Sequence, residues 1–373
     1  MPTLKASEEA IRQAAGILRA GGLVAFPTET VYGLGADAFS ESALARVFEA
    51  KGRPRFDPLI VHVAGFGALG AVADLSLLGA REREMAGILA RGLWPGPLTL
   101  VLPKRSSVPD LATSGLPTVA ARAPAHEAAL RLIELSGGAV AAPSANPFGG
   151  LSPTKASHVE EALGGKADLI LDGGPSAVGL ESTVLSLCGP RPEILRPGGA
   201  PREAIEALVG PVDLRRAPGC GASVGAAAGL PSPGLLKSHY APRSPLSAHE
   251  GDSILALPPT PDGESAAYLF FDGASLKAWL ARRPAGKSSG GGAMGGDSAS
   301  WAGGGLSCGA MALSEAGDLR EAAARLFQAL RDLDALRPAR IHAQLAPEHG
   351  LGLAINDRLR RAGAAGEPQA GAG

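Results

Sequence analysis

Residues 23–33, LVAFPTETVYG, set an apolar run, Leu23–Phe26, directly against a polar segment, Pro27–Thr30. A short apolar run closed by Pro reads as a buried strand that stops where polar groups begin. The same juxtaposition recurs along the first 210 residues. Polar segments interrupt or follow strand-like runs at Phe26–Gly33, Lys51–Pro58, Ala142–Asn146 and Gly179–Thr183. In an open α/β sheet, loops at strand ends converge into crevices where ligands bind.

Outward from this stretch, strands are predicted at Leu23–Phe26, Leu59–Val63, Leu98–Leu102, Thr118–Ala121 and Ala139–Ala142, then at Leu169–Asp172, Thr183–Leu187 and Glu193–Leu195. Helices are predicted at Ser40–Ala50, Gly79–Leu93, His126–Leu135, Thr154–Leu163 and Pro201–Val209. An earlier helix is capped by Ser7, carries Ile11, Ala14, Ile17 and Leu18 on one face, and stops at Gly21-Gly22. This alternation makes an α/β or α+β domain over 1–212, and periodicity alone leaves the strand directions open. Residues 213–245 are rich in Pro, Gly and Ala and read as a linker. A second, smaller alternation fills 246–373, with strands at Ser253–Leu257, Ala267–Phe271 and Arg340–Leu345 and helices at Leu276–Arg282 and Leu319–Leu336. The Gly/Ser run Ser288–Gly305 reads as a disordered loop.

A length of 373 residues agrees with two domains. The net charge of −1 argues against a protein that coats nucleic acid, because such proteins neutralise many phosphates with an excess of cations. A small phosphorylated ligand needs only a few convergent cations. No apolar stretch is long enough for a membrane helix, and the N-terminal segment MPTLKASEEAIRQ lacks a secretory pattern, so a cytoplasmic location is expected. Cys188, Cys220 and Cys308 form neither a zinc spacing nor a disulfide framework and read as buried or incidental thiols.

Three short patterns mislead. Gly286-Lys287-Ser288 resembles the tail of a phosphate loop but has Ala281 where the leading Gly belongs. Gly221–Gly225 matches a hydrolase elbow inside a linker. Gly33, Gly35 and Ala38, with Asp57 downstream, imitate a dinucleotide fingerprint, and the glycines are expected to form a turn beside a ligand.

The chemistry sits in Lys51, Arg53 and Arg55 after a helix, and in Arg122 and Arg196 at the ends of apolar runs, where a cation must be paired or solvated. Thr30, Ser144, Asn146, Ser152 and Ser182 add neutral donors. There is no metal-protease signature and no nucleophile–base pair. The set suits a nucleoside triphosphate beside a small polar substrate, handled by positioning and electrostatics.

The segments PTETVYGLGADA, KGRPRFDPLIVHV, WPGPLTLVL, TVAARAPAH, AAPSANPFGGLSPTKA, LDGG, ESTV and LRPGG occur in the order found in YrdC-like proteins, and the chain resembles that family over residues 8–243. The piece SPGLLKSHYAP is similar to the interdomain motif of the longer, two-domain members. The resemblance implies an α/β fold with a twisted mixed sheet and flanking helices over 1–212, a linker and lid over 213–245, and a smaller Rossmann-like α/β domain over 246–373. It implies a nucleotidyltransferase that makes threonylcarbamoyl-AMP and pyrophosphate from L-threonine, bicarbonate and ATP with Mg2+, for the t6A modification of tRNA by downstream transferase machinery. A transient RNA contact stays open, and no membrane is involved. Lys51, Arg53, Ser144 and Asn146 match the family's hallmark and would be catalytic. Threonine would meet Thr30, His62, Arg122, Ser182 and the Ala142 backbone. ATP would meet Arg53, Asp57, Thr118, Ser144, Ser152, Arg196 and Tyr240. Asp57 stands where members often carry Asn, and its carboxylate would repel phosphate unless it meets magnesium or pairs with Arg55. Competing readings are an RNA-binding module without catalysis and a carbamoyl-transfer domain of hydrogenase maturation. A 4% aromatic content and the lack of accompanying acylphosphatase or zinc-finger segments count against them.

Overall fold

The computed structural model describes residues 2–215, 230, 234–236, 238–258, 264–282, 298–303 and 306–364. Contacts divide the chain into two compact units: Met1–Phe148 with Ser152–Leu235, and Gly149–Leu151 with Leu236–Gly373.

In the first unit the chain runs β1 (Thr3–Lys5), α1 (Glu8–Arg19), β2 (Val24–Phe26), β3 (Gly33–Asp37), α2 (Glu41–Lys51), β4 (Ile60–Val63), α3 (Ala80–Leu93), β5 (Leu98–Pro103) and α4 (Asp110–Thr113). It continues through β6 (Thr118–Arg122), α5 (Glu127–Leu135), β7 (Ala139–Ala141), α6 (Ala156–Leu163), β8 (Leu169–Asp172), β9 (Thr183–Ser186), β10 (Glu193–Arg196), α7 (Arg202–Val209) and β11 (Asp213–Leu214). Helix ends follow local chemistry. Ser7 and Ser40 cap α1 and α2 by accepting the amides of Ala10 and Ala43, which satisfies donors left open in a first turn.

The strands form one mixed sheet in the order β1-β8-β2-β3-β7-β4-β6-β5-β9-β10-β11. Pairs β4–β6 and β5–β9 are parallel, whereas β3–β7, β4–β7, β5–β6 and β9–β10 are antiparallel. Because side chains alternate along a strand, the register assigns each residue a face. Val61, Val63, Ala121, Ala139 and Leu185 lie in the large core with residues of α2, α3 and α6. The opposite face carries Phe26, Val140 and Ala142, packed with residues of α1 and α5. Farther along this second face, Ile60, Val101, Ala120, Val184 and Leu195 form a separate small apolar cluster.

Two local expectations change in this unit. The Gly33–Gly35 stretch is strand β3, not a turn. A Cβ on Gly35 would stand 2.8 Å from both the Phe26 ring and Val140, so the missing side chain is what lets Phe26 pack on the strand. Composition places Asp213–Leu214 in the linker, yet they pair with β10 as β11. Backbone bonds then lace β3 to its neighbours: Tyr32 N–H to the Pro153 carbonyl, Leu34 N–H to that of Pro143 and Ala145 N–H to that of Tyr32, each at 2.8 Å.

The second unit contains β12 (Leu246–His249), β13 (Ala266–Asp272), α8 (Gly273–Ala281), β14 (Ser298–Gly303), β15 (Leu306–Ser314), α9 (Leu319–Ala335), β16 (Arg340–Gln344) and α10 (Gly352–Gly363). Its sheet order is β12-β16-β13-β15-β14, parallel except for β14 against β15. Residues 251–256, which overlap the expected strand Ser253–Leu257, form a 3-10 helix; the strand lies earlier, at β12. Ser298–Gly303, inside the expected disordered loop, is a strand, because it pairs in register with β15. The misleading motifs at 221–225 and 286–288, and Cys220, lie outside the described residues. Cys188 is exposed rather than buried. No helix among the described residues is long and apolar enough to cross a membrane.

Candidate active site

The segment after β2 is fixed by Thr28, whose hydroxyl donates to the Val31 carbonyl at 2.6 Å and accepts the amides of Thr30 and Val31. Short hydroxyl side chains stabilise such turns by replacing backbone partners. The turn aims the Thr30 hydroxyl at Arg122, whose Nη1 donates to it at 2.8 Å. Arg122 ends β6 and is directly paired in register with His62 of β4. Its Nε donates to the Gly96 carbonyl at 3.2 Å, and its Nη2 lies 2.6 Å from the Glu29 carboxylate. Arg122 is only 3% exposed. Burial, helped by the Arg122 charge, pulls the His62 imidazole down to about 3, so the ring is neutral at physiological pH. Phe26 meets its ring edge-on. The Ala142 N–H is committed to the Ile60 carbonyl at 2.9 Å, so a ligand contact from that backbone falls to its carbonyl.

A second polar group gathers around the end of α2. Lys51, its last residue, donates to the carbonyls of Ser144 and Asn146 and so pins the turn after β7. Burial holds its ammonium well below lysine's ordinary pKa. Arg53 donates to the carbonyls of Asp57 and Pro58 at 2.9 and 2.7 Å and forms an ion pair with the Asp57 carboxylate at 2.9 Å. Burial raises the Asp57 carboxyl, while the charges of Arg53, Arg196 and Lys51 oppose that rise. Asp57 therefore pairs with Arg53; Arg55 is exposed.

At the next strand ends, Ser182 shares a 2.7 Å hydrogen bond with Thr99, and its carbonyl accepts Arg196 Nη2 at 2.9 Å. Ser152 donates to the buried Glu181 carboxylate. Thr118 stands at the opposite end of β6 from Arg122, about 13 Å away along the strand at ~3.3 Å per residue, on the same face as Ala120 of the small apolar cluster. Thus Thr30, His62 and Arg122 come together, as do Lys51, Arg53, Asp57, Ser144, Asn146 and Arg196, with Ser182 joined to Arg196. Tyr240 belongs to the second unit, where it packs on His239 and Phe327 beneath the Arg358 guanidinium.

Sequence reasoning missed Glu29, Thr99 and Glu181. Each is a buried polar residue within a quoted motif, and the signal available was that position alone. Among the described residues no group of three or more His, Cys, Asp or Glu side chains is arranged to hold a metal ion.

A two-domain α/β protein with arginines and a lysine buried among the strands and turns of its larger sheet is a fold and site built for an anionic substrate. Residues 16–198 match the family model described as "Telomere recombination", and residues 201–364 match the model for the threonylcarbamoyl-AMP synthase C-terminal domain. The chain is 44% identical over 360 residues to the threonylcarbamoyl-AMP synthase of Pyrococcus abyssi, covering 94% of this chain and 93% of that protein. It is 41% identical over 364 residues to that of Bacillus subtilis, covering 96% and 94%. The crystal structure of P. abyssi Sua5 complexed with L-threonine superposes with a TM-score of 0.78 at 39% identity, covering 97% of this chain and 96% of that one. The chain belongs to the threonylcarbamoyl-AMP synthase family, and its fold is that of the two-domain member just described.

Proposed function

We propose that the chain joins L-threonine, bicarbonate and ATP into threonylcarbamoyl-AMP, releasing pyrophosphate. The observation that carries this reading is the burial of two cationic groups in the unit built on one sheet: Arg122 with Thr30, and Arg53 with Lys51 and Arg196. The Arg122 guanidinium takes the amino-acid carboxylate, since its planar fork matches two oxygens. Thr30 and Ser182 orient the substrate, and neutral His62 offers a ring nitrogen without adding charge. Thr118, Ser144, Ser152, Arg196 and Tyr240 keep the nucleotide-binding roles that the family pattern implies.

Two steps follow. The threonine amine attacks bicarbonate carbon, giving a carbamate and water. A carbamate oxygen then bonds to the α-phosphorus as the α–β bridge breaks and pyrophosphate leaves. Arg53 and Arg196 face the phosphates and offset charge that builds as the bond breaks. Lys51 does so partly through the Ser144–Asn146 turn that it holds. Magnesium would arrive on the triphosphate, which suits a site with one nearby carboxylate, Asp57, rather than a cage. The adenylate would supply tRNA threonylcarbamoylation. Residues 1–212 form the catalytic domain in this reading, 213–245 the linker and 246–373 an accessory domain.

Pyrophosphate release tests the proposal. It should require threonine and bicarbonate together, and the Arg122→Ala variant should lose threonine-dependent pyrophosphate release while still binding ATP. ATP turnover indifferent to threonine would overturn the reading.

A further inference from the structure

Glu29 lies between Thr28, which builds the turn, and Thr30, which touches Arg122. The residue is 6% exposed, and both carboxylate oxygens are buried. Among the described residues neither oxygen has a hydrogen-bond partner, and the one ion pair is with Arg122 Nη2. A buried carboxylate is costly unless its lone pairs are filled, and one cation leaves most of them open. The backbone holds it there rigidly. The Glu29 carbonyl accepts the Val178 amide at 2.7 Å, and the neighbouring Thr28 carbonyl accepts the Ser176 hydroxyl at 2.9 Å. His126 also feels the Glu29 charge, but burial dominates there and lowers the ring, so His126 is a poor counter-ion.

Arg122 cannot give its full fork to a substrate carboxylate while Glu29 occupies Nη2. A ligand that brings only a carboxylate must therefore displace Glu29 and leave it bare. A ligand that brings a carboxylate and an ammonium on adjacent atoms can exchange partners instead. Its carboxylate takes Arg122, and its ammonium takes Glu29. We propose that Glu29 is the residue that recognises the α-ammonium group of the amino acid and so restricts the site to zwitterions. This rests on the reading that Arg122 holds an amino-acid carboxylate, and it adds the other half of the recognition. The filled state satisfies both buried charges, and the ligand-free state does so only partly.

Calorimetric titration of the full chain, without nucleotide, separates this role from a merely structural one. The two ligands are L-threonine and (R)-3-hydroxybutanoate, which is threonine without its amine. The Glu29→Gln variant should bind threonine about 10- to 100-fold more weakly, the loss expected for a hydrogen bond to a charged group. Its affinity for (R)-3-hydroxybutanoate should stay the same or rise, because no carboxylate competes for Arg122. Glu29→Asp should recover part of the threonine affinity. An equal loss for both ligands would mean that Glu29 only props Arg122, and an unchanged threonine affinity would mean that it does nothing; either overturns the assignment. Pyrophosphate release by the unsubstituted chain is measured alongside. A chain that turns over threonine while its Glu29→Gln variant fails equally on both ligands overturns Glu29 alone. A chain that neither binds nor turns over threonine overturns the function reading and this one together.

Discussion

Gly198 lies against the peptide joining Ser182 to Thr183, and a Cβ on it would stand 2.3 Å from the Ser182 carbonyl carbon and 2.4 Å from the Thr183 nitrogen. The obstacle is backbone, which cannot swing aside like the end of a side chain. The LRPGG segment is thus a packing device: it carries Arg196 past Ser182 closely enough for the 2.9 Å hydrogen bond between them. Gly198→Ala should lower stability by about 3 kcal/mol, at the upper end for an overpacked site, and abolish pyrophosphate release. Denaturant unfolding beside an activity assay checks both, and a variant of native stability would show that the strand ends can part without cost.

Arg122→Lys keeps the charge and loses the fork. An ammonium cannot serve Gly96, Thr30 and a substrate carboxylate in one plane. The KM for threonine should rise about 30-fold or more, the equivalent of roughly 2 kcal/mol, with the KM for ATP within about 2-fold. Steady-state kinetics at saturating partner substrate measures the split.

His62 makes the protein acid-sensitive. Its folded value is depressed to about 3, so the stability it contributes is present above the unfolded value of 6.5 and is lost as pH falls from there towards 3. The fall in unfolding free energy from pH 7 to pH 4.5 should therefore be smaller by a few kcal/mol for His62→Gln than for the parent, the remainder coming from other buried histidines such as His342. Equal pH slopes would place the acid sensitivity elsewhere.

Asp57 works in the opposite sense. Burial raises its folded value, so the stability tied to its protonated form is present below the unfolded 3.8 and is lost as pH rises through the raised value. Asp57→Asn should reduce this loss, and the gap between variant and parent should widen in the variant's favour from pH 4 to pH 7. Removing a negative charge beside Arg53 and Arg196 should also tighten ATP binding by about 3- to 10-fold. Titration with a non-hydrolysable ATP analogue reads the second effect directly.

Much of this was legible in one dimension because apolar runs ended at Pro or polar segments wherever a strand met the site. Leu59–Val63 and Thr118–Ala121 were readable for that reason, and so were the cations placed just beyond such runs. Strand β3 was not, because its glycines signal a turn locally and become strand residues only when Phe26 claims the space. The 3-10 helix at 251–256 and strand β14 likewise depend on neighbours that periodicity does not reveal. Within the site, Thr99 meets Ser182 across 83 positions and Ser152 meets Glu181 across 29. Such pairings belong to the topology. Glu29 stood in plain view, but a carboxylate among hydroxyls gives no hint of its charge partner until β6 is set beside the turn.

The hydrogen bonds that lace Tyr32, Leu34 and Ala145 tie the Thr28–Thr30 turn to the turn that Lys51 pins. Segments joined by contiguous backbone hydrogen bonds tend to open as one cooperative unit. Under the proposed function, drift that loosens one turn would therefore loosen the other as well, so the two substrate affinities would be inherited together.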